Sequence, residues 1–423
     1  MAIRRAKKPA QKTPSLAKDV ESFQKYVTGL KSAFLDRDRE IDAIAIALLS
    51  RHHVYLEGAP GTAKSALARA VFKGIKGSKL FETACTKRMT DEYFIGGIDM
   101  KKFREEGITR HVTDQDTIVG ADFAFLDEFG DLNPLTMRVL LEVLNERTFT
   151  RPWQHEQCRL HTAILTANYR QEHEMTEAVY DRVLVRIDVK DIGSDSDRVK
   201  MFERTLAHKP LTSDATITLD CLNRLADAVS DSTVSFEPDY LPVYSSIIGE
   251  YSRDHGRVSD RRANQLLSFV KAKAILEGRT EVVPDDLSVL KYGLTVLNSA
   301  EHEAKVDMVI GRNTEDLETR LKASKACREA LVLQDRLEKK AMSLYMENLI
   351  TEVAEGRSPR SVLKKAVAFT QELYGELEKF KSRERFTGGG SPAVYALEQQ
   401  LLRIEADITD MLDKFLVALD LYV

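Results

Sequence analysis

Gly58 to Ser65 read Gly-Ala-Pro-Gly-Thr-Ala-Lys-Ser. Glycines followed by a lysine and a hydroxyl at this spacing make a loop that cradles phosphate groups. Gly58, Ala59, Pro60, Gly61, Thr62, Ala63, Lys64, Ser65 and Ala66 form the expected cradle. Its backbone N–H groups and the positive end of the next helix hold phosphate oxygens. Lys64 is expected to reach the β- and γ-phosphates and Ser65 to ligate Mg2+. One residue departs from the pattern: Ala63 stands where a second glycine is usual. Alanine is the smallest replacement, so close backbone approach stays possible.

A second cluster follows four apolar residues, Phe123-Ala124-Phe125-Leu126. Asp127 and Glu128 then stand at the tip of a buried strand. There Asp127 can hold Mg2+ through water, and Glu128 can act as general base toward an attacking water. Two acids after an apolar strand are by default a solvated loop; beside the glycine loop they point to nucleotide hydrolysis. Asn168 ends another strand, where it can orient the water or touch the γ-phosphate; otherwise it simply ends the strand in a turn. Arg182, in Tyr180-Asp181-Arg182, can stabilise transition-state charge on a neighbouring subunit's nucleotide, or be a surface arginine. In Ser259-Asp260-Arg261-Arg262, cations stand at a helix start, where they oppose the helix dipole unless an anion is near. That role falls to Arg261, and Arg262 is read as structural.

Five strands must carry these groups: His53 to Glu57, Phe81 to Thr86, Phe123 to Leu126, Thr162 to Thr166 and Val183 to Val189. They alternate with helical stretches, which predicts an α/β fold with a parallel sheet covered on both faces. Ligands of such sheets bind beyond the carboxyl ends of the strands, where the motifs fall. Before the loop, Val20, Phe23, Val27, Leu30 and Phe34 mark one helix, and Glu40 to Leu49 a second. Two hairpins are expected, at Ile98 to Val112 around Glu105-Glu106-Gly107 and at Thr148 to His161 around Pro152-Trp153-Gln154. Between them Asn133 caps a helix that starts with Pro134 and runs to about Arg147.

The division expected is a basic tail over 1–15, a nucleotide-binding core over 16–192, a helical lid over 193–299 and a C-terminal helical bundle over 300–423. From Ile192 onward strands are expected to disappear. Helices over Thr314 to Thr351 and Pro359 to Arg385 precede a break at Gly388 to Pro392. Leu397, Leu401, Ile404, Ile408, Met411 and Phe415 then form a heptad seam, read as the core of a small bundle rather than a dimer zipper.

The chain has 423 residues and a formal net charge of −4, which gives no general pull toward nucleic acid or anionic membrane. No apolar run approaches the roughly 18 residues of a membrane helix. Cys85, Cys158, Cys221 and Cys327 are scattered and suggest reduced thiols in a cytoplasmic protein. The adjacent His52 and His53 are read as structural. The basic residues of Met1 to Ser15 read as a solvated tail rather than a nucleic-acid arm.

Taken together, Gly58 to Ser65, Phe125-Leu126-Asp127-Glu128, Thr166-Ala167-Asn168, Tyr180 to Arg186 and Ser259 to Arg262 resemble the AAA+ ATPases of the MoxR group, and within it the RavA subgroup. The likeness covers about Leu16 to Ala300. It implies that Asn168 matches sensor 1, Arg182 the arginine finger and Arg261 sensor 2, and that an alanine before the lysine is usual. Ile98 to Val112 then matches the helix-2 insert and Thr148 to His161 the pre-sensor-1 hairpin. The group implies hexameric rings, ATP with Mg2+ at subunit interfaces, and chaperone-like remodelling of a client, often with a partner carrying a von Willebrand factor A domain. RavA proteins interrupt their C-terminal bundle with a β-rich domain, whereas Ala300 to Val423 reads helical throughout. Two other readings stay open: a nucleotide-gated scaffold, and a DNA-acting relative such as a helicase loader.

Overall fold

The computed structural model describes residues 16–114, 116–168, 183–208, 211, 213–231, 233–254, 256–294, 300–315, 317–343, 368, 375, 377–378 and 392–420. They fall into two compact units, Met1–Glu237 with Tyr244–Gly311, and Pro238–Val243 with Arg312–Val423.

In chain order the first unit begins with α1 (Leu16–Ala33), α2 (Asp38–Leu49), β1 (Val54–Glu57), α3 (Lys64–Lys73), β2 (Ile75–Lys76) and β3 (Leu80–Ala84). It continues with α4 (Asp91–Ile95), α5 (Met100–Glu106), β4 (Phe123–Asp127), α6 (Pro134–Glu146), β5 (Thr148–Arg151), β6 (Gln154–Gln157), β7 (Thr162–Ala167), β8 (Val185–Asp188) and β9 (Ile217–Thr218). Five strands form one sheet in the order β3-β4-β7-β1-β8, and every pairing in it is parallel. The cause is legible in composition: β1 and β7 are buried at every position, as strands covered on both faces must be. Parallel pairing brings the ends of β1, β4 and β7 to one edge, where Gly58, Asp127 and Asn168 emerge.

α6 starts as expected, with Asn133 accepting the Thr136 N–H and proline at the first turn. It buries Leu140, Leu141 and Leu144. α2 is buried almost all round, because β8, α1 and the helices Leu219–Ser230 and Asp260–Leu276 all pack on it.

Two expectations need correcting. Ile98 to Val112 is not a hairpin: α5 fills it, closed at its base by an antiparallel bridge between Ile98 and His111. Asp99 accepts the N–H groups of Lys101 and Lys102, and Gly107 ends the helix at φ +68°. The glycine read as a hairpin turn is therefore a helix C-cap. Strands also continue past residue 192, because β9 pairs in parallel with β2 and Ser235 bridges Glu281. The second hairpin is present as β5 and β6, with Trp153 at φ +71° in its turn. Gln154 ties it to the insert, accepting the His111 N–H at 2.7 Å and donating to the His111 carbonyl at 3.0 Å.

The second unit pairs the helices Leu317–Ser343 and Pro392–Asp420. Ala323, Ala326, Cys327 and Ala330 are buried on the first, Ile404 and Ile408 on the second. Four residues of the heptad seam thus pack within the chain, Ile404 and Ile408 buried and Leu397 and Leu401 half-buried; the side chains of Met411 and Phe415 lie outside those described. The expected stripe at Val362, Ala366, Phe369, Leu373 and Phe380 lies outside the described residues, as does the tail 1–15. All four cysteines are free and buried.

Candidate functional site

The phosphate loop leaves β1 through Gly58, and a Cβ there would stand 2.2 Å from the Val189 carbonyl oxygen. Only glycine fits so close to a backbone atom. Gly61 follows at φ +90°, and Ala63 lies in the left-handed region at φ +64°. A left-handed alanine costs about 1–2 kcal/mol, because its Cβ crowds the following carbonyl oxygen. The departure seen in the sequence is therefore a strained position. It directly precedes Lys64, the first residue of α3.

Lys64 is buried, and its ammonium donates to the carbonyls of Gly58 and Ala59 at 2.8 Å each and to Thr62 Oγ1 at 3.3 Å. Burial lowers its pKa, the Asp127 carboxylate raises it, and the charge of Arg37 lowers it. An ammonium curled over the loop in this way neutralises carbonyl dipoles until a phosphate offers a better partner.

Opposite the loop, Ser65 Oγ donates to Asp127 Oδ1 at 3.0 Å. Two hard oxygens beside a phosphate hollow fit Mg2+, which takes few protein ligands and keeps phosphates and waters in the rest of its shell. Glu128 is exposed and left-handed at φ +54°. Asn168 Nδ2 donates to Glu128 Oε1 at 3.2 Å, so the end of β7 orients the carboxylate at the end of β4. Loop lysine, serine, aspartate, glutamate and asparagine are thus brought to one edge of the sheet.

Arg182 lies outside the described residues. Arg261 is described, and the structure does not bring it to the loop. It is exposed and donates to Asn145 Oδ1 in the last turn of α6. The preceding residue, Leu144, accepts from His53 at the amino end of β1. Arg262 is buried and donates to the Gly293 carbonyl at 2.6 and 2.9 Å and to the Leu184 carbonyl at 2.8 Å. Leu184 precedes β8, whose first residue pairs with Val54. Both arginines therefore sit about 16 Å of strand away from Gly58, at five residues of roughly 3.3 Å each.

Three contributions escaped sequence reasoning. Thr166 donates to Asp127 Oδ1 and accepts the Glu128 N–H at 3.3 Å. The signal was there, since a hydroxyl inside a wholly buried strand needs a partner. Arg69 on α3 pairs with Glu82 at 2.6 Å and stands 4.0 Å from Asp127 Oδ2. Arg37, only 6% exposed, donates to the Thr62 carbonyl of the loop from Nη2 at 3.2 Å and from Nε at 3.4 Å. Beside the loop lies a cavity of about 590 Å3, walled by Gly61–Ala63, Phe34, Leu35, Ile192 and Met201 with Arg37, Arg198 and Arg204 at its polar side. Its size and its largely apolar walls with a few charged groups suit a nucleoside.

Comparison with known proteins agrees with this geometry. Residues 21–227 match the family model described as the MoxR domain of MoxR-vWA-beta-propeller ternary systems, and residues 246–310 match an AAA lid domain. The chain is 29% identical over 273 residues to MJ0079, an uncharacterized protein of Methanocaldococcus jannaschii, covering 64% of this chain and 70% of that one. It is 25% identical over 339 residues to Chaperone MoxR1 of Mycobacterium tuberculosis, covering 72% and 85%. A crystal structure from Cytophaga hutchinsonii, named as a candidate ATPase, shares the fold at 16% identity and a TM-score of 0.56, over 70% of this chain and 94% of that one. Sheet, phosphate loop, acidic strand end and lid match together, and the chain belongs to the MoxR group of AAA+ ATPases.

Proposed function

We propose that this ATPase acts as a Mg2+-dependent hexameric ring that remodels a client protein, in the manner of a chaperone and together with a partner carrying a von Willebrand factor A domain. The observation that carries the reading is the pair of contacts across the sheet edge, Ser65 to Asp127 at 3.0 Å and Asn168 to Glu128 at 3.2 Å. The first joins the two groups that would hold Mg2+, and the second aims a base past them. Bound with ATP, the ion would supply charge stabilisation to the phosphate oxygens. Lys64 exchanges the loop carbonyls for phosphate, and Glu128 takes the proton of the attacking water while Asn168 keeps its carboxylate in place. The cavity beside the loop takes the nucleoside, between the core (16–192) and the first helix of the lid (193–299).

Arg182 completes the site from the next subunit in this reading. Arg261 stands at the far end of the sheet from its own loop, so any nucleotide it meets is also a neighbour's. The likeness to a chaperone and to ternary-system MoxR domains supports the partner, and a cytoplasmic setting goes with it. Among the described residues no helix is long and apolar enough to cross a membrane.

The test is size measurement with and without ATP, beside steady-state turnover. Lys64→Ala is expected to lose nucleotide binding. Glu128→Gln should bind ATP and assemble while its turnover falls by about 10²–10⁴-fold, the usual worth of a general base. Full turnover by Glu128→Gln would remove the base assignment.

A further inference from the structure

Ala63 is held at φ +64°. That angle is the rotation about the Ala63 N–Cα bond, between the Thr62–Ala63 peptide plane and the Ala63 carbonyl carbon. The direction of the Thr62 carbonyl therefore fixes whether Ala63 is left-handed, and with it where the Ala63 N–H points. In a phosphate cradle the N–H groups must face the anion and the carbonyls must turn away. The Thr62 carbonyl does turn away, onto the guanidinium of Arg37. Arg37 is itself anchored: it precedes α2, its carbonyl accepts the Ile41 N–H at 2.9 Å, and its Nη1 donates to the Asp36 carbonyl at 2.5 Å. The guanidinium is thus a fixed donor, reaching the loop across 25 residues of sequence.

We propose that Arg37 is a positioning residue for nucleotide binding, which holds the Thr62–Ala63 peptide in its phosphate-ready orientation and so makes up for the glycine that Ala63 replaces. A glycine at 63 would adopt this angle without crowding and would need no such hold. Alanine prefers to rotate the peptide back, turning its N–H out of the cradle, and the charged hydrogen bond opposes that rotation. The inference rests on the ATP-site reading above and adds a dependence between two positions that the reading does not require.

The experiment is a double-mutant cycle read by titration with a fluorescent ATP analogue carrying a methylanthraniloyl group. Arg37→Gln in the natural background is expected to weaken binding about tenfold, equal to about 1.4 kcal/mol. In an Ala63→Gly background the same change should weaken binding less than threefold. If the loss is the same in both backgrounds, Arg37 does not act through Ala63 and the proposal fails. Arg37→Lys, which keeps a cation, is measured in the same two backgrounds in case Arg37→Gln does not fold, and the same comparison decides. A merely structural arginine would lower the melting temperature of both backgrounds without this rescue. Lys64→Ala separates the two levels of argument: if it binds the analogue as tightly as the natural chain, the ATP-site reading itself is wrong. If it does not bind, and no rescue is seen, only the role of Arg37 falls.

Discussion

Replacing Arg262 by methionine keeps the length of the side chain and removes its guanidinium. Three hydrogen bonds of 2.6 to 2.9 Å disappear, and the carbonyls of Gly293 and Leu184 lose the donor that served them. Arg262 is 5% exposed, so water does not readily take over. An unsatisfied buried acceptor costs about 1–3 kcal/mol, and two of them put the loss at about 2–6 kcal/mol. The contact is also close-packed: a Cβ on Gly293 would meet Leu266 Cδ2 at 2.2 Å, which leaves little room to rearrange. For a unit of this size roughly 2 °C of melting temperature goes with each kcal/mol, so a fall of about 4–12 °C is expected. Arg261→Met is the matched control. Arg261 is exposed and donates to one side-chain oxygen, so its loss should stay within about 1 kcal/mol, or about 2 °C. Calorimetry of both variants at one protein concentration makes the comparison. Melting of Arg262→Met within 2 °C of the natural chain would refute the reasoning, as would an equal fall for Arg261→Met.

Two further outcomes follow from the geometry. Glu128→Gly should abolish turnover yet raise the stability by about 0.5–1 kcal/mol, because relief of a left-handed side chain outweighs the added freedom of the unfolded chain; Glu128→Gln keeps the Cβ and should melt like the natural chain in the same thermal scan. For His52, His53 and His161, burial first, then the charges of nearby arginines, drops each pKa to about 3. All three stay neutral in the folded chain as pH falls through 6.5, where the unfolded chain takes protons, so stability falls by up to about 1.4 kcal/mol per pH unit per histidine toward pH 3. Urea unfolding should register about 3–4 kcal/mol lost between pH 7 and 5.5, with His161→Leu showing about two thirds of that, and a flat profile would contradict the burial argument.

The sheet was legible because its three inner strands, β4, β7 and β1, are runs buried at nearly every position, whereas the outer β3 and β8 alternate. Phe123 to Leu126 could only be a strand buried on both sides, and the acids after it could only stand at its tip. Local punctuation was less decisive. Gly107 marks a hairpin turn and a helix C-cap equally well, and only Asp99, whose side chain caps the start of α5, tips the choice. The short β9 carries only two residues, too few for any period. Long-range partners were not legible at all. Nothing around Asp36-Arg37-Asp38 distinguishes a buried guanidinium from a solvated one, since its acceptor is a backbone carbonyl 25 residues away. Arg261 and Arg262 are adjacent in sequence and opposite in environment, which only the packing of Gly293 against their helix decides.

The two sides of the site share one construction. Ala63 precedes the lysine and Glu128 follows the aspartate, and both are non-glycine residues held left-handed. In each case the neighbouring peptide is gripped from elsewhere in the fold: Arg37 takes the Thr62 carbonyl, and Thr166 accepts the Glu128 N–H. Strain of this kind persists only where the surroundings over-determine it. The catalytic residues therefore say where phosphate and water meet, but the geometry of Ala63 and Glu128 depends on Arg37 and Thr166, neither of which has a role in the chemistry itself. One sits before α2 and the other inside β7, the central strand of the sheet. A change in either should alter the chemistry while Lys64, Ser65, Asp127, Glu128 and Asn168 remain in place, and that is how phosphate loops of identical sequence can come to differ in activity.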